Sequence, residues 1–285
     1  MKKGDLSEKV IGANIAYHTA LSESYNEQQP HFRPENQERV NKLLRGFAEA
    51  AGDARFLDIA CGTGFMLGIA ERHFGHCVGV DNCEAVLDKA REAFSKEISE
   101  GKIALRLLDA SETIPLESES FNVCSIHGSL HHFFKLEPVL REAYRLLKEG
   151  GIFYADQDPN YYFVKDVQAI KNPNAEHSDI VLREVNAIPA IMEAYKKDFG
   201  LDEETINLAE FQSLVKGGMK AEVVEEILKK VGFSQVSVTY RWYLGQGYVL
   251  HQLAPGLAES IDEYLRMCLP LSRNLFKYFY IVAVK

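Results

Sequence analysis

Three acidic residues are spaced to serve one ligand. Asp58 lies inside the apolar stretch FLDIACGTGF (56–65), Asp81 closes HCVGVD, and Asp109 closes KIALRLLD. A carboxylate within an apolar run is costly to bury unless something pairs with it. Just beyond Asp58 the chain passes through Ala60, Cys61, Gly62, Thr63 and Gly64. Glycine there permits a tight turn and lets a ligand approach the backbone. A helix starting after the glycines presents its free N–H groups to the same place. Clustered acids repel an anionic pyrophosphate; they suit a ligand with positive charge and many donors. The P-loop pattern GxxxxGK[ST] is absent, and GxGxxG would need glycine at position 67, where Leu67 stands. Asp81, 17 residues after Gly64, is placed to accept hydrogen bonds from ribose hydroxyls.

A second group lies in HGSLHHF, with His127, His131 and His132. Imidazole titrates near neutrality, so His131 or His132 could deprotonate an acceptor hydroxyl; packing or capping is the other reading. No further Cys or His has ligand spacing to them, so no metal is expected. In ADQDPN, the residues Asp156, Asp158 and Asn160 look like alternate oxygen ligands of a calcium loop. Tyr161 stands where that loop requires glycine, however, and Val167 where it requires glutamate. A turn is the simpler account, with a magnesium-dependent site as the alternative.

The elements that must position these residues alternate from 53 to 158. Short apolar runs at ARFLDIA, HCVGVDN, KIALRLLDAS, SFNVCSIHG and IFYADQD read as strands. Between them, GFMLGIAERHF, CEAVLDKAREAFSKEIS and LEPVLREAYRLLKEGG have helical spacing, the last stopping at Gly150-Gly151. Strands separated by helices imply a parallel sheet covered on both faces. A mostly helical insertion is expected at 160–217, with a helix at AIPAIMEAYKKDFG that has Pro189 near its start. The pattern then resumes with KAEVVEEILKKVGF, SQVSVTYRWYL and FKYFYIVAVK, the last two separated by a smaller helical insertion at 245–275. The expected fold is α/β, a doubly wound, mostly parallel, seven-stranded sheet. Residues 1–50 form a polar, helical segment and 51–285 the domain.

The whole chain has 285 residues, 46% apolar and 26% charged, with 32 basic against 41 acidic residues and a net charge of −9. That balance disfavours a nucleic-acid partner. Cys61, Cys77, Cys83, Cys124 and Cys268 include no CxxC pair, and an odd count argues against a disulfide framework. No window approaches the roughly 18 apolar residues of a membrane span. A cytoplasmic protein is expected.

LDIACGTG, VGVDNCEAVLDKA, LRLLDASETIP and FNVCSIHGSLHHF resemble, in order and spacing, the successive motifs of the class I S-adenosylmethionine-dependent methyltransferases. The resemblance spans about 36–160 and is greatest to the small-molecule branch that includes the ubiquinone/menaquinone C-methyltransferases. It implies a Rossmann-like methyltransferase fold with an N-terminal lid. It also implies S-adenosyl-L-methionine as cofactor and S-adenosyl-L-homocysteine as its product. Asp58, Ala60, Gly62 and Gly64 would then surround the methionine part. Ala60 stands where the family usually has glycine. Asp81 would hold the ribose, Asn82 would lie against the adenine, Asp109 and the Ala110 N–H would read its edge, and His127 would flank the sulfonium. Asn82 departs from the apolar residue usual there. Tyr17 or Tyr25 of the lid would touch cofactor or substrate. The insertion, with Tyr161 and Tyr162, would cover the acceptor, a small aromatic or apolar-bearing molecule. A tRNA-modifying methyltransferase and a non-catalytic cofactor-binding subunit are the alternatives.

Overall fold

The computed structural model describes residues 3–51, 54–174 and 176–285. Residues 52 and 53, at the expected domain boundary, lie outside the described residues, as do residues 1 and 2 of the expected lid and residue 175 of the insertion. Seven strands form one sheet: β1 (Arg55–Ile59), β2 (His76–Asp81), β3 (Ile103–Leu107), β4 (Phe121–His127), β5 (Leu147–Pro159), β6 (Gln235–Tyr243) and β7 (Phe276–Val284). Their order is β3-β2-β1-β4-β5-β7-β6. The first five run parallel, with Leu57 opposite Val78 on β2 and Cys124 on β4. Only β7 is reversed, pairing antiparallel with β5 and β6.

Residues that alternate along β1 enter two different cores. Leu57 and Ile59 join Val80, Cys124, Ile126 and Phe153 beneath helices Leu136–Leu146 and Ala221–Val231. Phe56 joins Cys77, Val123 and Tyr154 on the other face, under Val40 and Leu44 of helix Pro34–Ala51 and Leu67 of helix Phe65–Ala70. Each such side chain, once buried, contributes about 1.5–3 kcal/mol. Both faces being covered, β1 and β4 are central in the sheet. Their carboxyl ends meet where the strand order changes direction, the place at which open α/β sheets bind ligands.

Two element boundaries differ from expectation. Helix Leu136–Leu146 stops before Gly150, because Leu147 pairs with Phe121 and the Gly150 N–H donates to the Lys285 carbonyl, which makes residues 147–150 part of β5. In the insertion, helix Asp179–Phe199 starts well before Pro189, since the Ser178 hydroxyl caps the Val181 N–H and Gly200 ends it at φ 68°. The N-terminal segment is two long helices, Lys3–Leu21 and Pro34–Ala51, joined through a short turn of helix at Tyr25–Gln28. No described helix is long and apolar enough to cross a membrane.

Candidate active site

A cleft of about 1260 Å³, counting the space at its mouth, opens at the carboxyl ends of β1, β2 and β4. Its floor is Asp58, Ala60, Cys61, Gly62 and Thr63; its sides are Asp81, Asn82, Asp109 and Ala110 on one flank and His127 and Ser129 on the other. The three acids, dispersed in sequence, therefore share one cavity.

Each is held by a specific partner. Asp58 is 2% exposed and accepts a 2.6 Å hydrogen bond from the Ser125 hydroxyl on β4. Burial pushes its carboxyl up to about 8; the serine opposes this and the neighbouring Asp81 adds to it. Asp81 accepts from the Gly62 N–H at 2.8 Å and from the Cys83 N–H at 2.9 Å. It thereby joins the glycine turn to the end of β2 and keeps lone pairs for further donors. Burial raises its carboxyl too, against the lowering by those two N–H groups. Asp109 fixes its own loop by accepting from the Ser111 N–H at 2.8 Å.

The turn itself is unusual in its backbone. Ala60 has φ 56°, Gly62 φ 52° and Gly64 φ 93°, all left-handed. A side chain on Gly62 would meet nothing within 4 Å, so its backbone faces open space. Gly64 does another job: it caps helix Phe65–Ala70, does not line the cleft, and a Cβ there would lie 2.4 Å from the Phe94 ring. It is glycine for packing, not for ligand approach as expected.

His127, 8% exposed, stacks against Phe65 and His31 with ring centroids 4.8 and 5.3 Å away. Burial depresses its imidazole to about 4, so the ring is neutral. Its Nε2 is buried with no protein partner among the described residues. Such an orphaned polar atom on a cavity wall is placed to pair with a ligand atom or a water.

The N-terminal helices close the top. Val10, Ile11, Asn14, His18, Tyr25 and His31 all line the cleft. The covering is clasped to the glycine turn, where the Thr63 hydroxyl donates to Asn26 at 2.6 Å. It is clasped again to β2's exit by Thr19 and Cys83, 3.4 Å apart, and by Lys89 with Glu23 at 2.8 Å. Sequence patterning gave no sign of His31, Asn26 or Asn14, because these contacts are single polar links between distant segments.

Several expected site residues lie elsewhere. Tyr17, unlike Tyr25, is buried away from the cleft with Leu21, Leu201, Ile206 and Ala209, seating the first helix on the insertion. Tyr161 and Tyr162 are not in the cleft either. Asn160 caps their helix, and the two rings are engaged by Lys220 and Arg273, with the Tyr162 hydroxyl on Glu222. Among the described residues, none of 160–217 lines the cleft. The insertion instead backs the wall: Ala209 accepts from His132 Nδ1 at 2.7 Å, and the Gln212 amide donates to the Phe133 and Phe134 carbonyls. Of the histidine pair, His132 lines the cleft and His131 sits behind it, its Nδ1 3.0 Å from Asp158. Asp156 and Asp158 bind no common point: Asp156 pairs with Arg39 and accepts from the Tyr154 hydroxyl.

The methyltransferase-domain family matches residues 57–155, the stretch that holds every acid of the cleft. That stretch is similar to a methyltransferase domain. A demethylmenaquinone methyltransferase of Leptospira interrogans is 31% identical over 125 residues, 43% of this chain and 47% of that protein. The chain's match thus spans about half the length of that relative. A demethylmenaquinone methyltransferase of Bacteroides fragilis is 25% identical over 186 residues, 64% of this chain and 68% of its own. Among solved structures, the fold is shared with an S-adenosylmethionine-dependent methyltransferase from Mesorhizobium loti (TM-score 0.53, 18% identity, 86% of this chain and 96% of that one). It is shared too with Haemonchus contortus phosphoethanolamine N-methyltransferase 2 (TM-score 0.56, 18% identity, 93% of this chain and 56% of that one). The methyltransferase cofactor fits the cleft's donor set: acids for its ammonium and hydroxyls, open backbone at Gly62, and the unmet Nε2 of His127.

Proposed function

We propose that the protein transfers a methyl group from S-adenosylmethionine to a small, apolar-bearing acceptor. The observation that carries this is the convergence of Asp58, Asp81 and Asp109 with the left-handed Gly62 turn on one cleft, beside an apolar wall of Val10, Ile11, Phe133 and Phe134. Asp58 would offset the ammonium, Asp81 the ribose hydroxyls, and Asp109 with the Ala110 N–H the adenine edge. When bound, the cofactor supplies an electrophilic methyl on a sulfonium. The protein's own contribution is to hold donor and acceptor in line and exclude water, and oriented reactions of this kind gain effective molarities of about 10⁵–10⁸ M.

The acceptor side of the cleft carries no fixed cation among its lining apart from Lys135. Its imidazoles at His127 and His132 are held down to about 4, chiefly by burial, and are neutral. Such a wall favours a ring or alkyl group over a phosphate backbone, which tells against the tRNA alternative. The relatives named for demethylmenaquinone supply the first acceptors to try.

Calorimetry with S-adenosylmethionine, S-adenosylhomocysteine and NAD tests the donor site. Mass spectrometry of reactions with demethylated quinone analogues tests the transfer. Absence of saturable binding by either adenosyl ligand, or equal binding of NAD, would overturn the donor assignment. Tight binding with no S-adenosylhomocysteine formed from any acceptor would favour the non-catalytic subunit.

A further inference from the structure

At and just behind the cleft wall, three side chains that the cofactor cradle does not use each bring a possible ligand atom close to the others. We propose that His131, His132 and Glu210 bind a single divalent transition-metal ion of zinc-like preference, through both imidazole Nε2 atoms and the glutamate carboxylate. One candidate ligand atom from each residue lies within 4.8 Å of the others. His131 Nε2 is 3.5 Å from Glu210 Oε2. Tetrahedral ligands at about 2.1 Å from zinc lie about 3.4 Å apart, so this pair is already at bridging distance.

The stronger observation is what stands behind the two rings. His131 Nδ1 is 3.0 Å from the Asp158 carboxylate, and His132 Nδ1 is 2.7 Å from the Ala209 carbonyl. A carboxylate and a carbonyl only accept, so each ring keeps an N–H on Nδ1, and Nε2 is the nitrogen left to give a lone pair once an ion displaces any proton there. This is the outer arrangement that fixes tautomer and aim in histidines that ligate metals. A plain ion pair of His131 with Asp158 and Glu210 would explain two carboxylates around one ring. It gives no reason for a ligand atom of His132 to lie within 4.8 Å of both groups as well. The ligands come from the exit of β4 and from the insertion, which explains why spacing along the chain did not reveal a third one.

Three protein ligands leave a coordination position for water or substrate, as in catalytic rather than structural zinc sites. His132 also lines the cleft, so the ion would sit at its edge. There it would acidify an acceptor hydroxyl; this use, unlike the site itself, rests on the methyl-transfer function proposed above.

The full chain, stripped with a chelator and dialysed, is titrated with Co²⁺, reading visible d–d absorption and its displacement by Zn²⁺. A one-to-one endpoint is expected. Glu210→Gln and His132→Ala should each weaken Co²⁺ binding at least tenfold. Asp158→Asn, which touches no metal, should weaken it about 10–100-fold. His177→Ala, a half-buried histidine elsewhere, should leave the titration unchanged. Circular dichroism shows whether each variant is folded, and the near-isosteric Glu210→Gln keeps the test valid if His132→Ala is not. No saturable one-to-one endpoint, or wild-type Co²⁺ affinity in folded Glu210→Gln, would overturn the site. Neither result touches the calorimetry of the adenosyl ligands, so the two proposals fail separately.

Discussion

Asp58 makes cofactor binding a proton-linked event. Its carboxyl, pushed up to about 8 by burial, is mostly protonated at pH 7 in the free protein. A ligand ammonium beside it favours the carboxylate, so binding must expel nearly one proton at pH 7. Below that value of 8 the dissociation constant should grow in proportion to 1 + 10^(8 − pH). The factor is about 100 at pH 6 and about 2 at pH 8, so S-adenosylhomocysteine should bind roughly 50-fold more weakly at pH 6. His127 and His31, held down to about 4 and about 3 by burial, stay neutral across this window and add nothing. The free protein should show the opposite slope. A carboxyl with a raised folded value keeps a proton the unfolded chain has lost, so its stabilisation is complete below about pH 4 and fades as pH rises toward 8. The assay is calorimetry at pH 6, 7 and 8 in two buffers of different ionisation enthalpy. Asp58→Asn should flatten the affinity profile. Equal affinity at pH 6 and 8 in wild type, with no buffer-dependent heat, would refute a protonated Asp58 as the ammonium's partner.

Asp81→Asn should weaken S-adenosylhomocysteine binding by about 1.5–3 kcal/mol, the worth of a charge-assisted hydrogen bond, and a dissociation constant within twofold of wild type would place the ribose elsewhere. Gly64→Ala should destabilise by about 2–4 kcal/mol, read as a lowered denaturant midpoint, because the new Cβ must pass through the Phe94 ring from a left-handed backbone. Ala60→Gly should be neutral or raise stability by up to about 1 kcal/mol, since left-handed alanine costs about 1–2 kcal/mol and glycine's chain entropy offsets part of the relief; a fall in melting temperature would contradict this. Deleting 176–215 should now weaken cofactor binding as well as turnover, because the insertion seats the first helix through Tyr17 and Leu21; unchanged calorimetric affinity would show that the lid stands without it.

The βα core was legible because its signals are local. Asp58 lies within an apolar run while Asp81 and Asp109 each close one, and the topology of a parallel sheet brings those strand ends together whatever the loops do. The reversed β7 adds nothing to that edge, so its late position did not disturb the inference. The lid and the acceptor side depend on contacts between segments far apart in the chain, 37 residues for Asn26 and Thr63 and 77 for His132 and Ala209. Tyr17 and Tyr25 look alike in sequence; only the seating of the first helix on residues 201–209 decides that one is core and the other lines the cleft. Tyr161 and Tyr162 misled for a related reason. An aromatic pair after β5 sits at the correct edge, but Asn160, capping the helix and donating to the Arg273 and Phe276 carbonyls, is bound toward the C-terminal segment, where Arg273 meets Tyr162. Gly64 had a signal for glycine but none for its cause, because Phe94 belongs to the next helical unit.

The clasp between Asn26 and Thr63 sets an order of events. The same first helix supplies Asn14 and His18 to the cleft and carries the turn that holds Tyr25 over the glycine loop. The covering of the cleft is therefore fastened to the glycine loop that forms its floor. On the methyl-transfer function proposed above, a donor seated on that loop would be released only after this contact opens. Steady-state kinetics should accordingly be ordered, donor first and S-adenosylhomocysteine last, with that product competing against the donor alone.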